Sequence, residues 1–243
     1  TSGLLVNQAI VAPLAKTRLD KRKKYLQIAL NSTLEDARRI IFNISAFDRI
    51  LIEAGTPLIK KYGMRAIAQL KRYSEVRIAQ LGLKTPVYIV ADIKTADMGE
   101  REVELAAQAG ASGITCVGVA PKETIDAFIS SCMKYGVDSM IDMMNVESPL
   151  LVLKKLQEAP DVVILHRGVD ETEMDKEKII PYYQINQIKG NCEAMVAVAG
   201  GDNIQEIRSA VFNGTDIVIL WKAFYRASDE VGNLVNEFLG EIR

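Results

Sequence analysis

The sequence contains little cysteine, a single histidine and no long hydrophobic run. Its three cysteines, Cys116, Cys132 and Cys192, are odd in number and far apart, which argues against a disulfide framework and against a zinc site. No apolar stretch reaches the roughly 18 residues that a membrane-spanning helix needs, and the N-terminus lacks the pattern of a signal peptide. We therefore expect a cytosolic protein with no membrane span, in which the cysteines are core thiols.

An excess of charge of one sign is also absent. Thirty lysines and arginines stand against 31 acidic residues, which leaves a net charge of −1, and the few aromatic residues are not interleaved with basic clusters. This composition argues against nucleic acid and against an anionic membrane as partners. A small anionic substrate would have to be held by local groups.

Short apolar runs rich in β-branched residues alternate with longer amphipathic segments from residue 25 onward. Eight strands are predicted, at Tyr25–Leu30, Asp48–Glu53, Pro86–Ala91, Gly113–Val119, Val137–Asp142, Asp161–His166, Ala194–Ala199 and Asp216–Trp221. The helices predicted between them include Leu34–Ile44, Glu100–Ala109, Lys122–Tyr135, Ser148–Glu158 and Ile204–Phe212. This period is typical of an α/β protein with the (β/α)₈ TIM barrel fold. A doubly wound open sheet is the alternative, but its G-x-G-x-x-G fingerprint is missing.

Residues 1–24 fall outside this alternation. The segment Lys16–Lys24 holds six basic residues in nine, which favours a solvated basic arm or linker. We therefore expect a single barrel domain over residues 25–243, preceded by a short basic N-terminal extension over residues 1–24.

Charged residues follow the apolar runs at the points where strands end. The segment Val90-Ala-Asp92-Ile-Lys94-Thr-Ala-Asp97 places two carboxylates around one lysine, and Glu53 ends the preceding strand. Because the carboxyl ends of barrel strands share one face, these groups are expected to converge there. A salt-bridged loop is the structural alternative to a catalytic site. An unpaired Glu53 would be costly to bury, so either Lys94 or a Mg²⁺ ion held with Asp92 is expected to balance it.

Two further features point to this face. His166, the only histidine, follows the sixth predicted strand and is the best candidate for a general acid or base, although a lone histidine is more often a packed residue. Gly200 and Gly201 follow the seventh strand, where paired glycines let the backbone approach a phosphate near a helix N-terminus. Glycine pairs also occur in plain turns.

These motifs together resemble a known superfamily. Leu26-Gln-Ile-Ala-Leu, Glu53-Ala-Gly-Thr-Pro, Ala91-Asp-Ile-Lys-Thr-Ala-Asp-Met-Gly, Leu165-His-Arg-Gly-Val-Asp170 and Val198-Ala-Gly-Gly are similar to motifs of the orotidine monophosphate decarboxylase superfamily. Within it, they resemble 3-hexulose-6-phosphate synthase and its sister, 3-keto-L-gulonate-6-phosphate decarboxylase. The resemblance covers about residues 25–243.

The resemblance implies a Mg²⁺-dependent homodimeric barrel that stabilises the cis-enediolate of a sugar phosphate. By position, Glu53 and Asp92 would hold Mg²⁺ and Lys94 would hydrogen-bond the enediolate. Asp97 would reach into the partner subunit's site, and His166 would donate or accept a proton. The synthase joins formaldehyde to ribulose 5-phosphate or runs the reverse cleavage. Val169, which stands where the decarboxylase has arginine, favours the synthase.

Two positions depart from the family pattern. Asn31 stands where the first strand normally ends in a substrate-binding aspartate, and Trp221-Lys222 stands where a Gly-Arg pair normally holds the phosphate. Lys222 can replace the arginine as a point charge, whereas Trp221 adds bulk. Two alternatives therefore stay open: a decarboxylase-like activity on a 3-keto sugar acid phosphate, or a related barrel with an altered phosphate site that binds a different ligand or is not catalytic.

Overall fold

Eight parallel strands form a closed barrel in the computed structural model, which describes residues 19–168, 170, 174, 181–200, 204–227 and 230–242. The strands are β1 (Tyr25–Leu30), β2 (Ile50–Ala54), β3 (Ile89–Thr95), β4 (Gly113–Val117), β5 (Asp138–Asp142), β6 (Val162–His166), β7 (Met195–Ala199) and β8 (Ile217–Leu220). Each strand pairs with its neighbours in sequence, and β8 closes the barrel on β1. The predicted (β/α)₈ barrel is confirmed.

The helices surround this barrel. They are α1 (Leu34–Asn43), α2 (Thr56–Tyr62), α3 (Arg65–Gln80), α4 (Gly99–Gln108), α5 (Lys122–Tyr135), α6 (Pro149–Leu153), α7 (Tyr183–Lys189), α8 (Ile204–Phe212), α9 (Lys222–Arg226) and α10 (Val231–Glu241). The helix predicted over 148–158 is therefore much shorter than expected. In contrast, the Gly55-Thr56-Pro57 turn opens directly into α2, where proline is tolerated because a helix start leaves its N–H groups unbonded anyway.

The apolar residues form two hydrophobic cores, one on each face of the strands. Side chains such as Leu51, Val90 and Ile219 fill the barrel interior, and the alternate residues, such as Leu26 and Ile52, pack outward against the helices. This division explains the continuous apolar runs in the sequence, since strands of a parallel barrel are buried on both faces. Of the cysteines, Cys116 and Cys132 are buried and Cys192 is half-buried, and all three are free thiols.

A bulge in β3 shapes the rim of the barrel. Ala91 pairs with Ile114 and Thr95 pairs with Cys116, so Asp92, Ile93 and Lys94 together lie opposite the single residue Thr115 of β4. Lys94 adopts a left-handed backbone conformation with φ of 49°, and its N–H donates to Thr115 Oγ1 at 3.0 Å instead of to the strand ladder. The strand predicted over 86–91 therefore extends to Thr95, and Asp92 and Lys94 lie within it. Strained backbone of this kind is often found at functional sites.

The end of the barrel opposite this rim is covered by residues 19–24. Leu19 is only 5% exposed and belongs to the interior cluster with Tyr25 and Tyr88, while Lys24 Nζ donates to the Thr215 carbonyl oxygen at 2.5 Å. These residues of the predicted extension therefore pack against the barrel. No helix in the described part of the chain combines the length and apolar character needed to span a membrane.

The outer core generates a stability prediction. Phe128 of α5 is fully buried, so Phe128→Ala should lower the free energy of unfolding by about 3–5 kcal/mol through lost burial and a residual cavity. Phe212→Ala is the matched control, because Phe212 is 90% exposed and its loss should change that free energy by less than about 0.5 kcal/mol. Urea unfolding monitored by circular dichroism measures both. Equal effects would contradict the assignment of the core.

Candidate active site

A cavity of about 440 Å³ opens at the carboxyl ends of the strands. One part of its wall carries most of the ionisable groups and another part is largely apolar, and Arg167 and Lys222 also line the cavity. The ionisable wall contains Glu53, Asp92, Lys94, Asp142 and His166, and the apolar wall contains Ile164, Ala199, Ile219, Leu220 and Trp221. The charged residues at the strand ends therefore meet in one cavity, as expected, except for Asp97, which does not line it.

Lys94 lies at the centre of the charged wall. Its Nζ is 3.0 Å from Asp92 Oδ1 and 3.0 Å from Asp142 Oδ2. Burial would lower the pKa of Lys94, but the two carboxylates outweigh it and raise the pKa above its usual value. The ammonium group therefore stays charged at neutral pH. Lys94, one of the two cations expected to balance Glu53, forms its direct ion pairs with Asp92 and Asp142 instead, although its nearby charge still acts to lower the pKa of Glu53.

Asp92 is held by two hydroxyl groups in addition to Lys94. Thr115 Oγ1 donates to Asp92 Oδ1 at 2.8 Å, and Thr56 Oγ1, at the start of α2, lies 2.8 Å from Asp92 Oδ2. The residue is buried. Because neighbouring elements fix both oxygens, the carboxylate is preorganised in the cavity wall.

Asp142 connects the lysine to the histidine. Its Oδ2 lies 2.8 Å from His166 Nδ1, and its Oδ1 accepts from the Met144 N–H at 2.9 Å. Burial favours neutral forms of both groups, but their mutual hydrogen bond and charge outweigh it. The pKa of Asp142 is lowered to about 2, and the pKa of His166 is raised above its usual value. The pairing at Nδ1 engages one of the two ring nitrogens and leaves Nε2 as the other.

Glu53 has a different environment. Gln27 Nε2 donates to Glu53 Oε2 at 2.5 Å, and no lysine, arginine or histidine among the described residues lies within ion-pair distance of this carboxyl. Burial, with the nearby charge of Asp92, raises the pKa of Glu53 to about 7. Glu53 is thus the carboxyl whose charge the protein leaves unbalanced.

The donor set around Glu53 suits a hard cation that retains much of its own hydration. Glu53 and Asp92 supply two carboxylates, and the amide oxygen Gln27 Oε1 is buried without a hydrogen-bond partner. Within the described ranges, no cluster of three or more His, Cys, Asp or Glu residues could hold a metal ion. Two carboxylates completed by water and substrate oxygens fit Mg²⁺ and do not fit zinc.

Asn31 lies at the rim, beside the start of α2. Its Oδ1 would be 1.8 Å from a Cβ added at Gly55, so only glycine fits there while Asn31 keeps this position. The Asn31 N–H donates to Tyr225 Oη of α9 at 2.9 Å. The side chain of Asn31 therefore lines the cavity at a position fixed by two neighbouring segments.

The opposite rim is formed by the segments after β6, β7 and β8. Gly200 has φ of 105°, and a Cβ on it would be 2.5 Å from the Arg167 carbonyl oxygen. Lys222 Nζ lies 5.5 Å from the centre of the Trp221 ring, and both residues line the cavity. Gly201, the second glycine of the predicted phosphate turn, lies outside the described residues.

Comparison with known proteins places this geometry in a family. The model of the orotidine 5'-phosphate decarboxylase / HUMPS family matches residues 24–234. The chain belongs to this family. The resemblance inferred from the motifs is therefore confirmed.

Two curated members are similar over most of the chain. It is 36% identical over 212 residues to the bifunctional enzyme Fae/Hps of Methanocella arvoryzae, covering 86% of this chain and 50% of that protein. It is 38% identical over 221 residues to the bifunctional enzyme Fae/Hps of Methanothrix thermoacetophila, covering 90% and 53%. The chain thus spans about half the length of these relatives.

A solved structure of a family member agrees with the fold. The crystal structure of 3-hexulose-6-phosphate synthase from Salmonella typhimurium matches with a TM-score of 0.76 and 28% identity, covering 90% of this chain and 100% of that one. That protein is therefore similar to the present chain along its whole length.

Sequence reasoning assigned no role to several cavity residues, among them Asp142, Gln27 and Thr115. Asp142 ends the fifth predicted strand, and its position on the same face as buried Met140 was a usable signal that it faces the barrel interior. Gln27 and Thr115 lie inside apolar strands, and their pairing with Glu53 and Asp92 depends on contacts between strands. Asp97 is exposed, and its Oδ1 accepts from the adjacent Met98 N–H at 2.8 Å.

The His166–Asp142 pair predicts a pH-dependent stability. Because the pKa of His166 is raised in the folded state, its stabilisation is complete below the unfolded pKa of about 6.5 and is lost as pH rises through the folded value. The difference in unfolding free energy between wild type and His166→Gln should therefore decrease with rising pH. Urea titrations between pH 5.5 and 9 measure it. Asp142→Asn is the control: in that background, His166→Gln should change the unfolding free energy by the same amount at every pH. Parallel pH curves for wild type and His166→Gln would contradict the His166–Asp142 ion pair.

Proposed function

We propose that this family member is an aldolase of the 3-hexulose-6-phosphate synthase type. It would be a Mg²⁺-dependent lyase that condenses formaldehyde with ribulose 5-phosphate, or catalyses the reverse cleavage. The observation that carries the proposal is the Lys94 ammonium held between Asp92 and Asp142, 3.0 Å from each, in a cavity that also contains His166. The similarity to Fae/Hps enzymes and to a synthase structure supports it.

The charged wall suits the chemistry of an enediolate. Loss of a proton from the hydroxyl-bearing carbon beside the ketone leaves one negative charge, which is delocalised onto the former ketone oxygen, and the fixed Lys94 ammonium can stabilise that charge. The enediolate carbon then forms a bond to the formaldehyde carbon, and the formaldehyde oxygen takes up a proton. His166 Nε2 is suited to move these protons, because Asp142 fixes the ring through Nδ1.

Glu53 and Asp92 are the residues that would hold Mg²⁺. When bound, Mg²⁺ would supply further positive charge for the enediolate oxygens. Asp92 is already preorganised by Thr56 and Thr115, and Glu53 has a buried carboxyl whose ionised form requires a cation. Metal binding should therefore keep Glu53 ionised near neutral pH.

The phosphate end of the cavity distinguishes the proposal from its alternatives. Asn31, Gly200, Gly201 and Lys222 would hold the sugar hydroxyl and phosphate groups. Trp221 favours a second candidate, a barrel of the same family that accepts a different ligand, because its indole lines the cavity beside Lys222. A decarboxylase acting on 3-keto-L-gulonate 6-phosphate uses an enediolate as well and would be identified by release of CO₂.

Asp92→Asn is the variant that tests the aldolase proposal. It should lower kcat/KM by about 1,000-fold or more, since it removes a charge from both the metal site and the Lys94 pair. Consumption of ribulose 5-phosphate with formaldehyde is measured with Mg²⁺ and with a chelator. Asp36→Asn on the outer helix α1 is the control and should leave activity unchanged. Turnover that survives Asp92→Asn or chelation would refute the proposal.

We also propose that two copies of the chain form a homodimer with shared sites. Asp97 is exposed on the rim outside the cavity lining, and the adjacent Met98 is 66% exposed. Val119, which follows β4, and Leu151 of α6 are exposed apolar residues in the two following β/α units. A second copy that covers this edge would bury these side chains and allow Asp97 to reach the partner's cavity.

Complementation tests the shared site. Asp97→Ala and Asp92→Asn should each be nearly inactive, but subunit exchange between them creates heterodimers with one intact site. About a quarter of wild-type activity should return, as expected for random pairing in a twofold dimer. The control mixes Asp92→Asn with His166→Gln, whose defects remain in separate sites and give no recovery. Equal recovery in both mixtures, or none in either, would contradict the proposal.

A further inference from the structure

The side-chain amide of Gln27 donates a hydrogen bond through its nitrogen, but its oxygen accepts none. The side chain is 1% exposed and lines the cavity from β1. Its Nε2 donates to Glu53 Oε2 at 2.5 Å, while Oε1 is buried and accepts no hydrogen bond. A buried amide oxygen without a donor costs about 1–3 kcal/mol, so this arrangement indicates a ligand.

The surroundings of Gln27 explain why the barrel itself does not satisfy this oxygen. The residues in register with Gln27 on both neighbouring strands, Leu51 and Ile219, are apolar and offer no side-chain donor. Oε1 is bonded to the same carbon as Nε2, so it lies beside the Glu53 carboxyl. A water molecule polarised by a cation is a donor that suits an acceptor close to a carboxylate.

We infer that Gln27 is a positioning residue for the cation site: Nε2 orients the Glu53 carboxylate, and Oε1 accepts a hydrogen bond from a metal-bound water. This inference rests on the Mg²⁺-dependent function proposed above. Hydrogen bonds to ligands and to metal-bound water commonly change metal affinity by about 10–100-fold. Gln27 would thus determine how tightly the site binds Mg²⁺ without itself being a ligand.

Direct Mn²⁺ binding tests the inference without any assay of turnover. Free Mn²⁺ is measured by electron paramagnetic resonance for the full chain and for two variants. Gln27→Met keeps the length of the side chain but removes both hydrogen-bonding groups, and it should weaken binding about 10–100-fold. Gln27→Glu loses the Nε2 donor but keeps an acceptor oxygen at this position, and it should weaken Mn²⁺ binding less than Gln27→Met does. Met140→Leu, in the same interior core, controls for repacking.

The outcomes separate this inference from the proposed function. Wild-type affinity in Gln27→Met would overturn the role of Gln27 while leaving the metal site in place. A loss in Gln27→Glu equal to that in Gln27→Met would overturn the acceptor role. No Mn²⁺ binding by wild type would overturn the metal site itself.

A second measurement on the unmodified protein keeps the test valid if Gln27→Met does not fold. The side-chain amide NMR signal of Gln27, assigned by its loss in Gln27→Glu, should shift when Mg²⁺ is added to one equivalent. A signal that stays unchanged while the site fills with Mg²⁺ would overturn the inference.

Discussion

The charged wall of the cavity depends on the Lys94 ammonium and its two carboxylates. Asp92 and Asp142 come from β3 and β5, on either side of β4, and a common cation holds them 3.0 Å from its nitrogen. Three carboxyl groups surround one lysine and one histidine, so full ionisation leaves a negative charge in excess. The excess falls on Glu53 because the other two carboxylates already have cationic partners.

Much of the fold could be predicted because the strands of a parallel barrel are buried on both faces. Their apolar runs are therefore continuous, and all eight were located, with differences of a few residues at their ends. Glu53, Asp92, Lys94 and His166 were placed on the same face for the same reason. These positions follow from topology alone, without knowledge of any individual contact.

The pairings within the site could not be predicted, because they depend on a local irregularity. A regular strand would alternate Asp92, Ile93 and Lys94 between the two faces, and nothing in the motif indicates that three residues face Thr115 alone. Lys94, one of the two cations considered for Glu53, instead forms its direct ion pairs with Asp92 and Asp142. Gln27 belongs to the Leu26-Gln-Ile-Ala-Leu motif, but its role was missed because its hydrogen bond to Glu53 becomes visible only when β1 and β2 are placed side by side.

Because of the bulge, the directions of the side chains in this segment depend on the number of residues between Ala91 and Thr95. Removing Ile93 would shift Lys94 by one position along the strand and turn its ammonium from the barrel interior toward the surrounding helices. Substitutions can alter the charges of this segment one at a time, but an insertion or deletion would rearrange all of them together. Sequence divergence that preserves the chemistry should therefore exchange residues here and confine changes in length to the loops between helices and strands.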